Sequence, residues 1–579
     1  MDRGAAKTAA HRGWWLFASL DGYNRKWLRP DIAAGLTVWA VLIPESLAYA
    51  TIAGVTPVVG LYAAIPALIL YAALGSSRHL VVGPMSATAA LSAAIIAPVA
   101  GGDGGHYLAL SAVLAILTGI AGLLAGLCRL GFAASYISEP VLKGFIVGLA
   151  LTIIVGQVPK LFGIDKADGD FFEQSWGVLT HLGDTQWPTL AVGVVSLVLV
   201  LVLKRWLPLV PGSLVVVLLS ILAVAVFSLD EHGVDIVGHI ESGLPSLGLP
   251  EGAAWHDYYD LAGPAFGVLL IGFAEGLGAA KTYAARAGYE IDANRELLGL
   301  GAANLGSGLS SGMVVNGSLS KTAVNGAAGA KTQVSGLVVA VLTVLTLLFL
   351  TGLFEQLPEA TLAAVVIAAV IELVDIAALR RLYRVWSRQL GTIYGLAARA
   401  DFLGALAALL GVLLFDTLPG LVIGIAVSML LLLYRNSRPH VADLGQEGSV
   451  WVDVERHPNA TSPAGAVVVR VEGGLFFANA DFVKDTVSRR CTEATRVVVI
   501  DAETSPYIDV SAAEMLVQLQ AALRRDGIEL RIAHDIGQVR DVLADVTRAG
   551  ERLAVFGTVD EALSAPSGNV PPGGWRENR

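Results

Sequence analysis

Two short stretches decide how this chain is read: SSRHLVVGPMSATAA at 76–90 and SSGMVVNGSLSKTAV at 310–324. Each begins with paired serines, runs through a short β-branched segment, and then meets Pro or Gly followed by small hydroxyl residues; the interval between serines and valines differs by one residue. Both lie inside long apolar sequence. Extended backbone at membrane depth leaves amide groups unpaired, so it is tolerated only where it is buried in protein or lines a water-filled cavity. Each stretch is therefore expected to be a broken helix, with a new helix starting after the break. Pro84 suits a first helical position, where its missing N–H costs nothing, and Ser318 or Ser320 can cap with a hydroxyl. Two helix starts facing each other at mid-membrane would present free N–H groups and two positive dipole ends, each equivalent to roughly half an elementary charge. Such a pair is a cradle for an anion.

Three ionisable groups stand near these breaks. Lys321 adds a full positive charge beside the cradle, at an insertion cost of about 2.5–3.5 kcal/mol in an apolar span. The bland alternatives are that it snorkels to the interface or neutralises Glu275. Glu45, in IPESLAYATIAG at 43–54, and Glu275, in FAEGLGAAKTYAARAG at 273–288, each precede a break by roughly forty residues. A low-dielectric site disfavours the charged carboxylate, so both can carry a proton; each could instead be a neutral group hydrogen-bonded between helices. An anion moving against an inside-negative potential needs a co-transported cation, and a protonatable Glu beside the anion supplies one. Ser86, Thr88, Ser318 and Ser320 gain weight from clustering at the breaks, since small hydroxyl residues also serve ordinary helix packing.

Outward from the breaks, apolar runs long enough to approach the roughly 20 residues of a spanning helix fall at 31–51, 58–74, 84–100, 107–128, 137–156, 188–204 and 211–228, and again at 261–281, 296–310, 319–330, 333–352, 358–376, 401–416 and 418–435. The expectation is a polytopic α-helical membrane protein with 14 transmembrane segments. The second set of seven echoes the first, and an odd number of spans per copy inverts the second, giving inverted repeats. Composition agrees: 55% hydrophobic and 15% charged residues, with mean hydropathy +0.65, belong to a lipid-embedded chain. Lys26, Arg29, Arg78, Arg129, Lys204, Arg205, Lys281, Arg286, Lys331, Arg380, Arg381, Arg435 and Arg438 fall in alternate turns, whereas residues 229–260 hold seven acidic residues and no Lys or Arg. The positive-inside rule then puts both termini in the cytoplasm.

Residues 439–579 read as ordinary soluble sequence. The expected division is a cytoplasmic N-terminal segment 1–30, a transporter domain 31–437, a linker 438–463, a soluble α/β domain 464–565 and a disordered Pro/Gly-rich tail 566–579. Within the soluble domain AVVVRVEG, RVVVIDAE and IELRIAHD read as strands alternating with helices. Ala512, Leu516, Leu519 and Leu523 share one helical face, and TVDE at 558–561 is a capping box for the last helix. Cys128 and Cys491 are too few for a disulfide framework or a thiolate metal site. No nucleophile, metal cluster or phosphate loop appears, so neither an enzyme nor a cofactor is expected. The net charge of −10 carries no basic run, so nucleic acid is not an expected partner.

The segments DIAAGLTVWAVLIPESLAYATIAGVTPVVGLYAA, LGSSRHLVVGPMSATAA, ISEPVLKGFIVG and SLSKTAVNGAAGAKTQVSG together resemble the SulP anion transporters, which include sulfate permeases, pendrin and prestin; the soluble part resembles a STAS domain. The resemblance implies a seven-plus-seven fold divided into core and gate domains, homodimers in the cell membrane, elevator-like alternating access and an anion site between the third and tenth spans. Carried over by motif, Glu45, Tyr49, Met85, Ser320 and Lys321 would line that site, and Glu275 falls where members place a proton- or sodium-linked carboxylate. Many members have Gln in place of Glu45, which favours proton coupling here, and many have Arg in place of Lys321, whose single ammonium lacks the planar fork for an oxyanion. In YIDVSAAEML, Val510 occupies the position of a phosphorylatable Ser, with Ser511 next to it. The expected activity is proton-coupled symport of a small oxyanion such as sulfate, with sodium- or proton-coupled bicarbonate or dicarboxylate transport, or anion exchange, as alternatives. Nucleobase permeases share the fold, but Lys321 and the STAS domain argue against that class. A transport-free scaffold has no use for three charges at mid-membrane.

Overall fold

The computed structural model describes residues 16–101, 103–132, 138–167, 169–207, 210–240, 242–384, 399–415, 417–534, 537–546 and 553–566. Half of the expected N-terminal segment, residues 1–15, and all but the first residue of the expected tail lie outside these. The chain forms two units, one of residues 1–382 with 401–426, the other of residues 383–400 with 427–579.

The first unit, whose last helix continues into the second, repeats one order of elements. Helices α1 (Leu28–Ile52) and α2 (Pro57–Leu74) lead to strand β1 (Val81–Gly83), followed by α3 (Ser86–Ala100), α4 (Gly104–Leu127), α5 (Glu139–Phe162), the short α6 (Phe171–Thr180), α7 (Trp187–Trp206) and α8 (Gly212–Phe227). Then α9 (Trp255–Ala287) and α10 (Ala293–Leu309) lead to β2 (Asn316–Ser318), α11 (Leu319–Ala327), α12 (Val334–Phe349), α13 (Glu359–Val370), the short α14 (Ile376–Arg384), α15 (Ala400–Phe415) and α16 (Thr417–Ser437). Each of the fourteen apolar runs coincides with one helix, and seven helices among the described residues are long and apolar enough to cross a membrane. Helices α6 and α14 are additional. The first is started by a capping box in which Asp170 accepts from the Glu173 amide and Glu173 from the Asp170 amide, a polar signal that a search for apolar runs passes over.

Small residues bring the helices of this unit together. Helix α10 packs on α4 and α2, and α1 on α12 and α2. A Cβ added to Gly122 of α4 would sit 2.8 Å from the Cα of Gly301 on α10, so the two backbones touch. Lipid offers no hydrophobic drive for such pairing, and close backbone approach supplies the attraction instead. Helix α13 packs against α5 and α7, with the Ser196 and Thr361 hydroxyls 3.1 Å apart.

The second unit is built on a six-stranded sheet of order β4-β3-β5-β6-β7-β8. Strands β3 (Val441–Glu447) and β4 (Val450–Asp453) form a hairpin; β5 (Ala466–Val471), β6 (Val497–Asp501), β7 (Glu529–Ala533) and β8 (Ala554–Phe556) run parallel, with α17 (Ala480–Arg490), α18 (Val510–Arg525) and α19 (Gly537–Val546) between them and α20 (Val559–Ser564) last. The hairpin lies in the stretch expected to be linker; β3 pairs antiparallel with β5 and so extends the sheet. Its residues alternate apolar with polar only briefly, which hides a two-stranded edge in sequence. Ala512, Leu516, Leu519 and Leu523 are all buried. Thr558 caps α20 by accepting from the Glu561 amide, while the Glu561 carboxylate accepts from Gly557 rather than from Thr558 itself.

Candidate functional site

The two breaks meet. Strand β1 pairs antiparallel with β2, Val81 opposite Ser318, Val82 opposite Gly317 and Gly83 opposite Asn316. The Val81 amide also donates to Thr322 Oγ1 at 3.1 Å. Backbone groups freed by each break are thus satisfied by the other copy, as buried amides require.

Polar side chains from neighbouring helices hold the approach to each break. Glu296 on α10 accepts from Tyr71 Oη (2.7 Å), from the Ser76 amide (2.9 Å) and hydroxyl (2.6 Å), and from the Ser77 amide (3.0 Å). Gln333 Nε2 donates to the carbonyls of Ser77 and Leu80, both at 2.9 Å, and Asn325 Nδ2 to that of His79 at 2.9 Å. On the second break Asn304 donates to the Val315 carbonyl and accepts from the Val315 amide, each at 2.9 Å.

The helix starts differ in one respect from expectation. Pro84 is not the first residue of α3: the chain stays extended through Met85, which is the N-cap, and the helix begins at Ser86. The Pro84 carbonyl is engaged by Lys321 Nζ at 2.9 Å, which holds this segment out of the helix. On the other side Ser318 is the cap of α11, accepting from the Lys321 amide at 3.3 Å, and its hydroxyl lies 3.1 Å from that of Ser320. Ser320 itself is exposed. Thr88 is buried and donates back to the Met85 carbonyl at 3.2 Å; Ser86 is buried in the first turn of α3.

Lys321 does not pair with Glu275. Its Nζ lies 3.0 Å from Glu45 Oε2, with the lysine side chain 0% and the glutamate 8% exposed, and 4.9 Å from the centre of the Tyr49 ring. Glu45 and Tyr49 are four residues apart on α1 and so share a face, which delivers a carboxylate and a π-face to the same ammonium. Glu275 forms a second group. Asn316 Nδ2 lies 3.5 Å from Glu275 Oε2 and 3.8 Å from Met85 Sδ, so one amide links the carboxylate of α9 to the cap of α3. Gly272 and Gly276 flank Glu275 on the face toward β2; a Cβ on either would come within 3.2 Å of the Asn316 side chain. Asn316 was not among the residues picked from sequence. Its signal was faint: the only amide in the VVNG ladder, at the place where the first copy has Gly83.

The arrangement is a buried ion pair set between two helix starts. An anion entering between the helix starts would have to compete with Glu45 for Lys321. An uncompensated buried charge costs about 3–5 kcal/mol, so an oxyanion that displaced Glu45 would have to replace its charge.

A family model described as the sulfate permease family matches residues 28–396, and a STAS domain model matches residues 455–562. A probable sulfate transporter of Mycobacterium tuberculosis is 38% identical over 550 residues, covering 94% of this chain and 95% of the relative. High affinity sulfate transporter 2 of Stylosanthes hamata is 31% identical over 546 residues, covering 88% of this chain and 80% of that one. Among solved structures, a murine solute carrier 26 family anion transporter in the inward-facing state superposes with a TM-score of 0.85 at 22% identity, covering 97% of this chain and 96% of that chain. The transmembrane domain of a cyanobacterial bicarbonate transporter gives 0.60 at 21% identity, covering 69% of this chain and 98% of its own.

Proposed function

This chain belongs to the sulfate permease family, and from that premise we propose that it moves a small oxyanion, sulfate first, across the cell membrane by proton-coupled symport. It is not an enzyme. The observation that carries the reading is Lys321, a fully buried cation at the start of α11, held by Glu45 and facing the start of α3. Glu45, Tyr49, Met85, Ser86, Thr88, Ser318, Ser320 and Lys321 surround the anion, and Glu45 and Glu275 carry the coupling proton. The unprotonated site is closed electrostatically, because Glu45 already occupies Lys321; the proton on Glu45 and the anion on Lys321 therefore enter together. Glu275 reports on the same event through Asn316 and Met85. The loaded core then crosses by elevator-like alternating access, in a homodimer whose termini and STAS domain are cytoplasmic.

Radiotracer uptake of sulfate into proteoliposomes, run with and without proton and sodium gradients, tests this reading. The expected result is uphill accumulation driven by an inward proton gradient, lost in Glu275→Gln while exchange persists in part. Accumulation that follows sodium and ignores the proton gradient replaces the proton by sodium; the carboxylate of Glu275 and the amide oxygen of Asn316 are the hard oxygen ligands such an ion takes. Accumulation of bicarbonate or a dicarboxylate in preference to sulfate changes the substrate but not the site.

A further inference from the structure

The second unit contains a cavity of about 270 Å³ between the last turns of α16 and the loops that follow β5 and β6. Its wall carries one cation, Arg435, and one carboxylate, Glu472, together with Asn436, His440 and Tyr507. The wall is built rather than incidental. Asn479, 1% exposed, donates from Nδ2 to the Gly474 carbonyl at 2.9 Å and to the Asn436 carbonyl at 3.2 Å, tying the loop after β5 to the end of the helix. Gly473 has φ +152°, and a Cβ on Gly474 would overlap the Tyr507 ring, so this loop needs two glycines to run beneath the phenol.

The rim is apolar. Leu432 on α16 and Tyr507 on the loop after β6 both line the cavity and are 58% and 46% exposed. The residues Pro419–Ser437 form a helix long and apolar enough to cross a membrane, and Arg435 stands in its last turn, where a spanning helix would reach the headgroups. Aromatic side chains concentrate at that level. A ligand arriving from water would have no need of leucines leading to the cavity along the helix; acyl chains would.

We propose that this cavity binds the zwitterionic phosphoethanolamine headgroup of a membrane phospholipid, with Arg435 taking the phosphate and Glu472 the ammonium. A guanidinium suits phosphate oxygens, and a primary ammonium donates charge-assisted hydrogen bonds to a carboxylate. A quaternary choline has no N–H for Glu472, and a phosphatidylglycerol has no cation for it.

The full-length protein, delipidated in detergent and titrated with phosphatidylethanolamine, phosphatidylcholine or phosphatidylglycerol under native mass spectrometry, tests the assignment. Phosphatidylethanolamine is expected to bind about tenfold more tightly than the other two, the worth of one charge-assisted hydrogen bond. Glu472→Gln should erase that preference while leaving phospholipid binding, and Arg435→Gln should weaken all three lipids; both side chains are exposed, and unchanged thermal stability confirms that each variant is folded. Equal binding of the three lipids by the native chain, or a preference that survives both substitutions, overturns the proposal. So does displacement of the lipid by an equal concentration of free phosphoethanolamine, which would make the ligand a soluble metabolite.

Discussion

Lys321 is an ammonium with almost no water around it, and its three neighbours explain why the chain tolerates it: a carboxylate at 3.0 Å, a carbonyl at 2.9 Å and the Tyr49 ring. The cost of charge in an apolar span singled out the lysine and both glutamates, whereas Tyr49 came only from the family resemblance, and neither source showed which charges touch. If Glu45 gates Lys321, an uncharged side chain at this position raises anion affinity, because it no longer competes for the ammonium. Glu45→Gln provides one at every pH, so calorimetric titrations of sulfate should show affinity that is high and flat with pH; an acid-side rise in this variant would move the proton elsewhere. Lys321→Ala should abolish sulfate binding and also destabilise the fold by about 3–5 kcal/mol, since it strands Glu45 in the interior. The double variant Lys321→Ala with Glu45→Gln should recover much of the stability and none of the binding, a separation that thermal unfolding and binding measured on the same samples would reveal.

The broken helices work as elements only because others brace them. Four hydrogen bonds converge on Glu296, three of them from the Ser76–Ser77 turn that leads into β1. Glu296→Gln replaces one acceptor oxygen by an NH₂ facing donors, and should cost about 1–3 kcal/mol along with faster amide exchange at Ser76 and Ser77; unchanged exchange there would mean that the turn is held by Gln333, and by Tyr289, whose hydroxyl lies 3.2 Å from that of Ser77 and accepts from the Arg78 amide at 3.1 Å. The α4–α10 crossing is braced by contact rather than charge. A Cβ on Gly301 would lie 2.5 Å from the Leu123 amide nitrogen, so Gly301→Val should lower the unfolding temperature and cost about 1–3 kcal/mol or more. Gly329, with open space around its Cβ position but φ +90°, is a contrasting case in which conformation alone disfavours a side chain.

For the whole molecule, the distribution of groups along the chain makes a prediction of its own. Every residue assigned to the anion and its proton lies between 45 and 321, in the first unit, whereas the STAS sheet begins at Val441 in the second. A chain ended after Ser437 should therefore bind sulfate with an affinity within a few-fold of the full protein while losing any dependence on lipid that the Arg435–Glu472 cavity confers. Complete loss of sulfate binding in a folded, monodisperse truncation would show that the soluble domain shapes the site.

What the sequence determined by itself follows from short-range rules. Apolar length set the fourteen helices, β-branched residues next to Pro or Gly marked the two breaks, and the cost of charge in lipid singled out Glu45, Glu275 and Lys321. Tertiary structure alone decided the partners. Lys321 meets Glu45 rather than Glu275 because α1 passes beside the start of α11, and Asn316 reaches both Glu275 and Met85 because Gly272 and Gly276 let α9 lie against β2. The β3–β4 hairpin likewise gains its place only from pairing with β5. Contacts between residues hundreds of positions apart depend on helix crossings, and crossings are set by the packing of side chains from several helices at once, which no single segment encodes.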